Sequence, residues 1–166
     1  MRGVYNLIIR FNHASNVRIG KNLPLALKPG LYIYTGSARG HGSTSLEARL
    51  RRHLRHEKKR FWHIDRVLHS RSAEVVAVVF AETGENAECK LNTTFMRDPH
   101  IRAFGRRVGS SDCGCRSHLL IADQSLLSLI GHVRRAYRSI GLAPHVVQTY
   151  PMRTCTPSPG RLKIVH

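Results

Sequence analysis

The sequence predicts an α/β fold: a small antiparallel three-stranded central sheet with flanking helices, plus additional strands and a C-terminal helix. Three observations carry that expectation. Segments rich in β-branched and aromatic residues crowd the first 35 positions, separated by turn residues. A later run, EVVAVVF at 74–80, is apolar and β-branched, as a strand buried on both faces is. Two further stretches, beginning near Ser45 and near Asp123, carry apolar residues at helical spacing.

Taken in order, Gly3 to Arg10 reads as a first strand, Asn16 to Gly20 as a short second, and Leu31 to Thr35 as a third, entered through Lys-Pro-Gly at 28–30. Their closeness makes an antiparallel meander the cheapest pairing. Ser45 is placed to cap a helix running to about Glu57, and Trp62 to His69 forms another turn or two. Glu74 to Phe80 follows as a buried strand, Glu85 to Met96 as a helix, Ser117 to Ala122 as a last strand, and Asp123 to Ile140 as a basic amphipathic helix. The end, TYPMRTCTPSPGRLKIVH, is rich in Pro and turn residues. The expected organisation is a domain at 1–122 and a basic extension at 123–166, packed on or appended to it. That extension sets six Lys and Arg against one acidic residue.

Charge narrows the function classes. In 166 residues, 27 Lys and Arg face 10 acidic residues, a formal charge of +17 that a polyanion would offset. Nucleic acid is the leading partner; a merely solvated basic surface is the alternative. No apolar run approaches the ~20 residues of a membrane span, and MRGVYNLIIRF reads as a strand and not a secretory signal, so a cytoplasmic location is expected. Cysteines 89, 113, 115 and 155 are too few and too unevenly spread for a disulfide framework.

The stretch GLYIYTGSARG at 30–40 puts Tyr32 and Tyr34 on one face of a strand, with glycines that leave the neighbouring space open to a ligand. On the helix from Ser45, Leu46, Leu50 and Leu54 fall in one stripe, with His53 inside its margin and Arg49 at its edge. Arg51, Arg52 and Arg55 are expected to face away. Arg49 is either a snorkelling side chain or, beside the tyrosines, a fixed donor for phosphate oxygens.

Gly3-Val4-Tyr5 followed by Tyr34-Thr35-Gly36 resembles the paired signature of the GIY-YIG nuclease superfamily, and further motifs are similar to its Uri-like branch. These are Ile19-Gly20-Lys21, the Y-x-Y-x-G-S-A strand end, Arg52-His53-Leu54, K-K-x-x-W-H-I-D from Lys58 to Asp65, Glu88-Cys89-Lys90, and G-S-S-D-C-x-C-x-S-H-L from Gly109 to Leu119. The resemblance runs from about Gly3 to Ile121. It implies a metal-dependent endonuclease that hydrolyses DNA phosphodiester bonds, structure-selective or repair-related. Tyr5, Tyr34 and Arg49 would be catalytic, with His53 in an auxiliary place, and Glu88 would hold a single Mg²⁺ or Mn²⁺. Gly36, Ser37 and Asp112 would support the site, Asp112 standing in for a late asparagine common in the superfamily, since Asn92 lies too close to Glu88.

The chemistry asks for such a set: a base for water, a cationic clamp and a stabiliser of the leaving oxygen. Arg49 and the metal are expected to lower a tyrosine pKa toward the working range, with the choice between Tyr5 and Tyr34 as base left open. A non-catalytic basic nucleic-acid-binding module is the competing reading. In both, Arg39, Arg52, Lys58, Lys59 and His63 are expected to track the phosphates, because ten Lys and Arg face three acids between Arg39 and Arg71. DNA is preferred to RNA through the resemblance alone, and cutting a duplex with one small site calls for a homodimer.

Two further residues and one cluster have weighed alternatives. Trp62 reads as core in preference to a base-stacking platform, and Asp65 as a partner of His63 or a part of the site. Cys89, Cys113, Cys115 and His118 are four soft ligands for a structural zinc, but CxC spacing is less typical of zinc than CxxC, so packing thiols are the preferred reading.

Overall fold

Strand β1 (Gly3–Phe11), GVYNLIIRF, has almost nothing to offer water on either face, and this places it at the centre of the molecule. Its side chains alternate between two cores. Val4 and Ile8 enter one, while Tyr5, Leu7, Ile9 and Phe11 enter the other. The computed structural model describes residues 1–20, 23–55 and 62–149, with the backbone of a strand at 163–165.

Strand β4 (Gly30–Ala38) runs antiparallel along the whole of β1, with Gly3 opposite Ala38 and Phe11 opposite Gly30. Strand β5 (Ala73–Glu82) occupies the other edge of β1, with a register shift at Ile8/Ile9. The short strands β6 (Ile101–Ala103), β7 (Leu119–Ala122), β8 (His145–Gln148) and β9 (Lys163–Val165) extend the sheet. The seven-stranded order is β6-β7-β4-β1-β5-β8-β9, and every pairing is antiparallel.

The fold is therefore α/β with an antiparallel sheet, but the expected meander of the first three strands is corrected. Strand β2 (Ser15–Ile19) pairs with β3 (Leu23–Leu27) in a separate two-stranded ribbon. Both edges of β1 are already taken by β4 and β5, and the ribbon buries only one side, through Ile19, Leu25 and Leu27. Strand β3 lies between the second and third strands expected from the sequence; in this ribbon, Pro24 stands opposite Arg18 without interrupting a central ladder.

Helices cover both faces. Helix α1 (Leu46–Leu54) begins where Ser45 accepts a hydrogen bond from the Ala48 N–H at 3.3 Å, and ends at Arg55, which is extended. It is shorter than expected, and residues 56–61 lie outside the described residues. With α2 (His63–Leu68) and the ribbon, α1 packs on the core that holds Tyr5 and Tyr34. Helix α3 starts at Glu88, not Glu85, because the Thr83 hydroxyl accepts the Glu85 N–H in a turn. It runs Glu88–Phe95 and packs with α4 (Leu126–Ser139) on the opposite core. Leu129, Val133 and Tyr137 of α4 are fully buried there, and the Tyr137 hydroxyl donates to the Val79 carbonyl at 3.2 Å. The segment from 123 thus contributes a helix and strand β8 to the same layers as the rest. No helix among the described residues is long and apolar enough to cross a membrane.

Candidate active site

Tyr5 and Gly36 are register partners on β1 and β4. The absence of a Cβ at Gly36 lets the Tyr5 ring lie across β4: a Cβ there would stand 2.6 Å from both Cζ and the hydroxyl of Tyr5. Tyr34 is held the same way from another direction. Gly109, at φ +71°, brings backbone so close that a Cβ would meet the Tyr34 ring at 2.7 Å. The tyrosine pair of β4 divides in role. The Tyr32 hydroxyl donates to the Lys28 carbonyl and accepts from the Lys28 N–H, both at 2.9 Å, tying down the turn into β4.

Tyr5 and Tyr34 open onto a cleft of about 550 Å³. Helix α1 contributes His53, whose Nε2 shares a 2.7 Å hydrogen bond with the Tyr5 hydroxyl, and Arg49. The Arg49 and Arg52 guanidinium carbons lie 4.8 and 4.6 Å from the centre of the Trp62 ring. Asp65 of α2 is fully buried; its Oδ2 accepts from Arg52 Nη2 at 2.5 Å and from the Trp62 N–H at 3.0 Å, and its Oδ1 is 3.9 Å from His53 Nδ1. Glu88 reaches the cleft from the first turn of α3, although α3 packs on the other core.

Burial dominates the electrostatics of the phenols. It pushes the pKa of Tyr5 well above the usual tyrosine value; Arg49 opposes the shift, and Glu88 and Asp65 reinforce it. Tyr34 is pushed up in the same way, first by burial and then by Tyr5 and Glu88, again against Arg49. Arg49 thus acts on both phenols in the expected direction, but burial outweighs it, and both lie above the usual tyrosine value.

Of the residues singled out in the sequence, Tyr5, Tyr34, Gly36, Ser37, Arg39, Arg49, His53, His63, Glu88 and Asp112 all line this one cleft. Arg52 does not line it and does not face away either, since its ion pair with Asp65 and its contact with Trp62 turn it inward. Asp65 accordingly pairs with Arg52, not with His63. Lys58 and Lys59 lie outside the described residues. Reading the sequence missed Trp62, Gly109 and Ser111 as cleft residues. A glycine two residues before Ser111 in a turn-rich segment was the available signal for Gly109.

Behind the cleft wall, Cys89 follows Glu88, and Cys113 follows Asp112. The ligand atoms of Cys89, Cys113, Cys115 and His118 all lie within 4.8 Å of one another. Burial and the neighbouring thiols of Cys115 and Cys113 push the Cys89 thiol up to about 12. The group is thus a compact set of donors able to hold a metal, beyond the simple packing of thiols expected from the CxC spacing.

Comparison with known proteins places the chain in a family. Residues 4–140 match the family model described as "Domain of unknown function DUF123", and the chain belongs to that family. No curated protein and no solved structure matches it.

Proposed function

We propose that this member of the family is a metal-dependent endonuclease that hydrolyses DNA phosphodiester bonds, of the GIY-YIG kind and acting on branched or damaged DNA. The observation that supports this best is the convergence of two phenols, a guanidinium, an imidazole and a carboxylate in one cleft, drawn from β1, β4, α1 and α3. The charge of +17 and the placement of Arg39 and His63 on the cleft suit a phosphate backbone.

Arg49 clamps the scissile phosphate. Its Nε is buried without a hydrogen-bond partner among the described residues, which leaves a donor for a phosphate oxygen. The attacking water gives its proton to the Tyr5 oxygen as Tyr5 passes its own proton to His53 Nε2, 2.7 Å away. The imidazolium so formed faces the Asp65 carboxylate. The water oxygen bonds to phosphorus and the bond to the leaving oxygen breaks. Glu88, a half-buried carboxylate with Asp112 on the same cleft, fits a hard cation that keeps most of its waters and needs one or two carboxylates. Mg²⁺ or Mn²⁺ bound there would neutralise charge developing on the leaving oxygen.

The test is an incubation with supercoiled, nicked, branched and lesion-bearing DNA, with Mg²⁺, Mn²⁺ or chelator. Cutting is expected only with the cation, and Glu88→Ala should bind DNA without cutting it. Undiminished cutting by Glu88→Ala would overturn the metal role. Tight binding with no cutting of any substrate would leave a nucleic-acid-binding module.

A further inference from the structure

We propose that Cys89, Cys113, Cys115 and His118 bind one zinc ion, which fastens the loop between β6 and β7 to the first turn of α3. Ligand identity and count suit a closed structural site of the three-cysteine, one-histidine type. The spacing suits it too. Zinc held tetrahedrally at about 2.3 Å from sulfur and about 2.0 Å from nitrogen sets its ligands about 3.8 Å apart for sulfur pairs and about 3.5 Å for sulfur and nitrogen. His118 Nε2 stands 3.4 Å from the Cys113 sulfur and 3.9 Å from that of Cys89, and no two of the four ligand atoms are more than 4.8 Å apart. Contraction by about an ångström at the widest pair closes the shell. Three thiolates favour zinc over the oxygen-seeking cations.

The surroundings complete the case. Three thiolates around zinc carry one net negative charge. Cys113, Gly114 and Cys115 share a hollow of about 590 Å³ with Arg106, Arg107 and Arg116, three cationic residues in the neighbourhood of that charge. The hydrogen bonds of this loop also leave it a task for the metal. It is laddered at its base by Arg107 N–H to the Arg116 carbonyl (2.7 Å) and His118 N–H to the Val108 carbonyl (2.8 Å). Toward the tip the described bonds thin out to the 3.1 Å contact of Arg107 Nη2 with the Ser111 carbonyl and two long contacts on the Ser110 carbonyl, from the Cys113 N–H at 3.4 Å and the Cys113 thiol at 3.9 Å. A zinc ion would fix that tip, and with it Gly109 behind Tyr34 and Asp112 beside Glu88. The inference does not rest on the nuclease reading.

The full chain, purified under reducing conditions, reconstituted with zinc ion and freed of excess, should carry one zinc per chain by elemental analysis. Three thiols should become reactive to Ellman's reagent when a chelator strips the ion. Cobalt(II) in place of zinc should give thiolate charge-transfer bands and strong visible bands of tetrahedral type. Cys115→Ser should retain at least tenfold less zinc; should it fail to fold, the cobalt spectrum of the unaltered chain decides alone. Glu88→Ala should keep its zinc, which separates this site from the proposed catalytic cation. No retained zinc, thiols equally reactive with and without chelator, a disulfide among the three, or an octahedral cobalt spectrum would overturn the proposal.

Discussion

Replacing Gly36 by alanine probes the contact on which the cleft is built. The new methyl would stand 2.6 Å from Cζ and the hydroxyl of Tyr5, where ordinary contact begins at 3.4 Å. Backbone on the central strand cannot retreat, so Tyr5 must move by about 0.8 Å, and overpacking of this size costs about 1–3 kcal/mol. The displaced hydroxyl also loses its 2.7 Å bond to His53, and a buried polar group without its partner costs about 1–3 kcal/mol more. For a chain of 166 residues, a combined loss of about 2–6 kcal/mol lowers Tm by about 4–24 °C. Calorimetry on Gly36→Ala, Tyr5→Leu and the double variant isolates the contact. Leucine at position 5 lacks the two ring carbons and the hydroxyl oxygen that the methyl would meet, so the two changes should couple by about 1 kcal/mol or more. Gly84→Ala is the control, since a Cβ there meets nothing within 4 Å. An unchanged Tm for Gly36→Ala, or the same penalty in the Tyr5→Leu background, would refute the packing argument.

Asp65→Asn removes the buried carboxylate that pairs with Arg52. Because Arg52 is itself partly exposed, the loss by urea unfolding should be about 2–3 kcal/mol, below that of a fully buried pair. DNA affinity should fall about a thousandfold between 50 and 200 mM salt if six phosphates are neutralised, and Arg39→Gln should reduce the slope of log Kd against log salt by about one. Burial holds the pKa of His132 below its usual value despite Asp98 Oδ2 at 3.2 Å from its Nδ1. The unfolded chain then binds more protons than the native one as pH drops below about 6.5, so this histidine makes the protein less stable in acid. An NMR titration should show the lowered value, and Asp98→Asn should lower it further; a value above that of exposed histidines would contradict the assignment.

Periodicity carried the sequence reading as far as its elements were long. The nine residues of β1 and the stripe Leu46, Leu50, Leu54 on α1 each repeat a pattern often enough to define a strand or a helix face. Strands β6, β8 and β9 have three or four residues, too few for any pattern to stand out, and they exist because β7, β5 and β8 respectively offer them an edge. The meander failed for a related reason: nothing local in Asn16 to Gly20 says that β1 is already saturated by β4 and β5. Among the site residues, Tyr34 and Gly36 were legible because they stand together in one short stretch of a single strand. Trp62 and Gly109 were not, because their place depends on how α2 and the loop before β7 come back over the sheet. The cysteine cluster was legible as residue types only. Its weight came from convergence, which CxC spacing alone could not convey.

Burial also decides which proton path is open. At Tyr5, burial opposes a phenolate more strongly than any neighbour does, and Arg49 favours one. A route through a free phenolate must therefore first charge a site that resists charge. A route in which the oxygen takes one proton as it yields another keeps the phenol neutral throughout and leaves the positive charge on His53, beside the Asp65 carboxylate. Tyr5 and His53 then act as one unit, and their losses should not multiply. In single-turnover cutting of whichever DNA proves to be the substrate, Tyr5→Phe and His53→Gln should each slow the reaction by about 10²–10⁴, and the double variant should be no slower than the worse single one. Multiplied losses would mean two independent roles, and would return the choice of base to Tyr34.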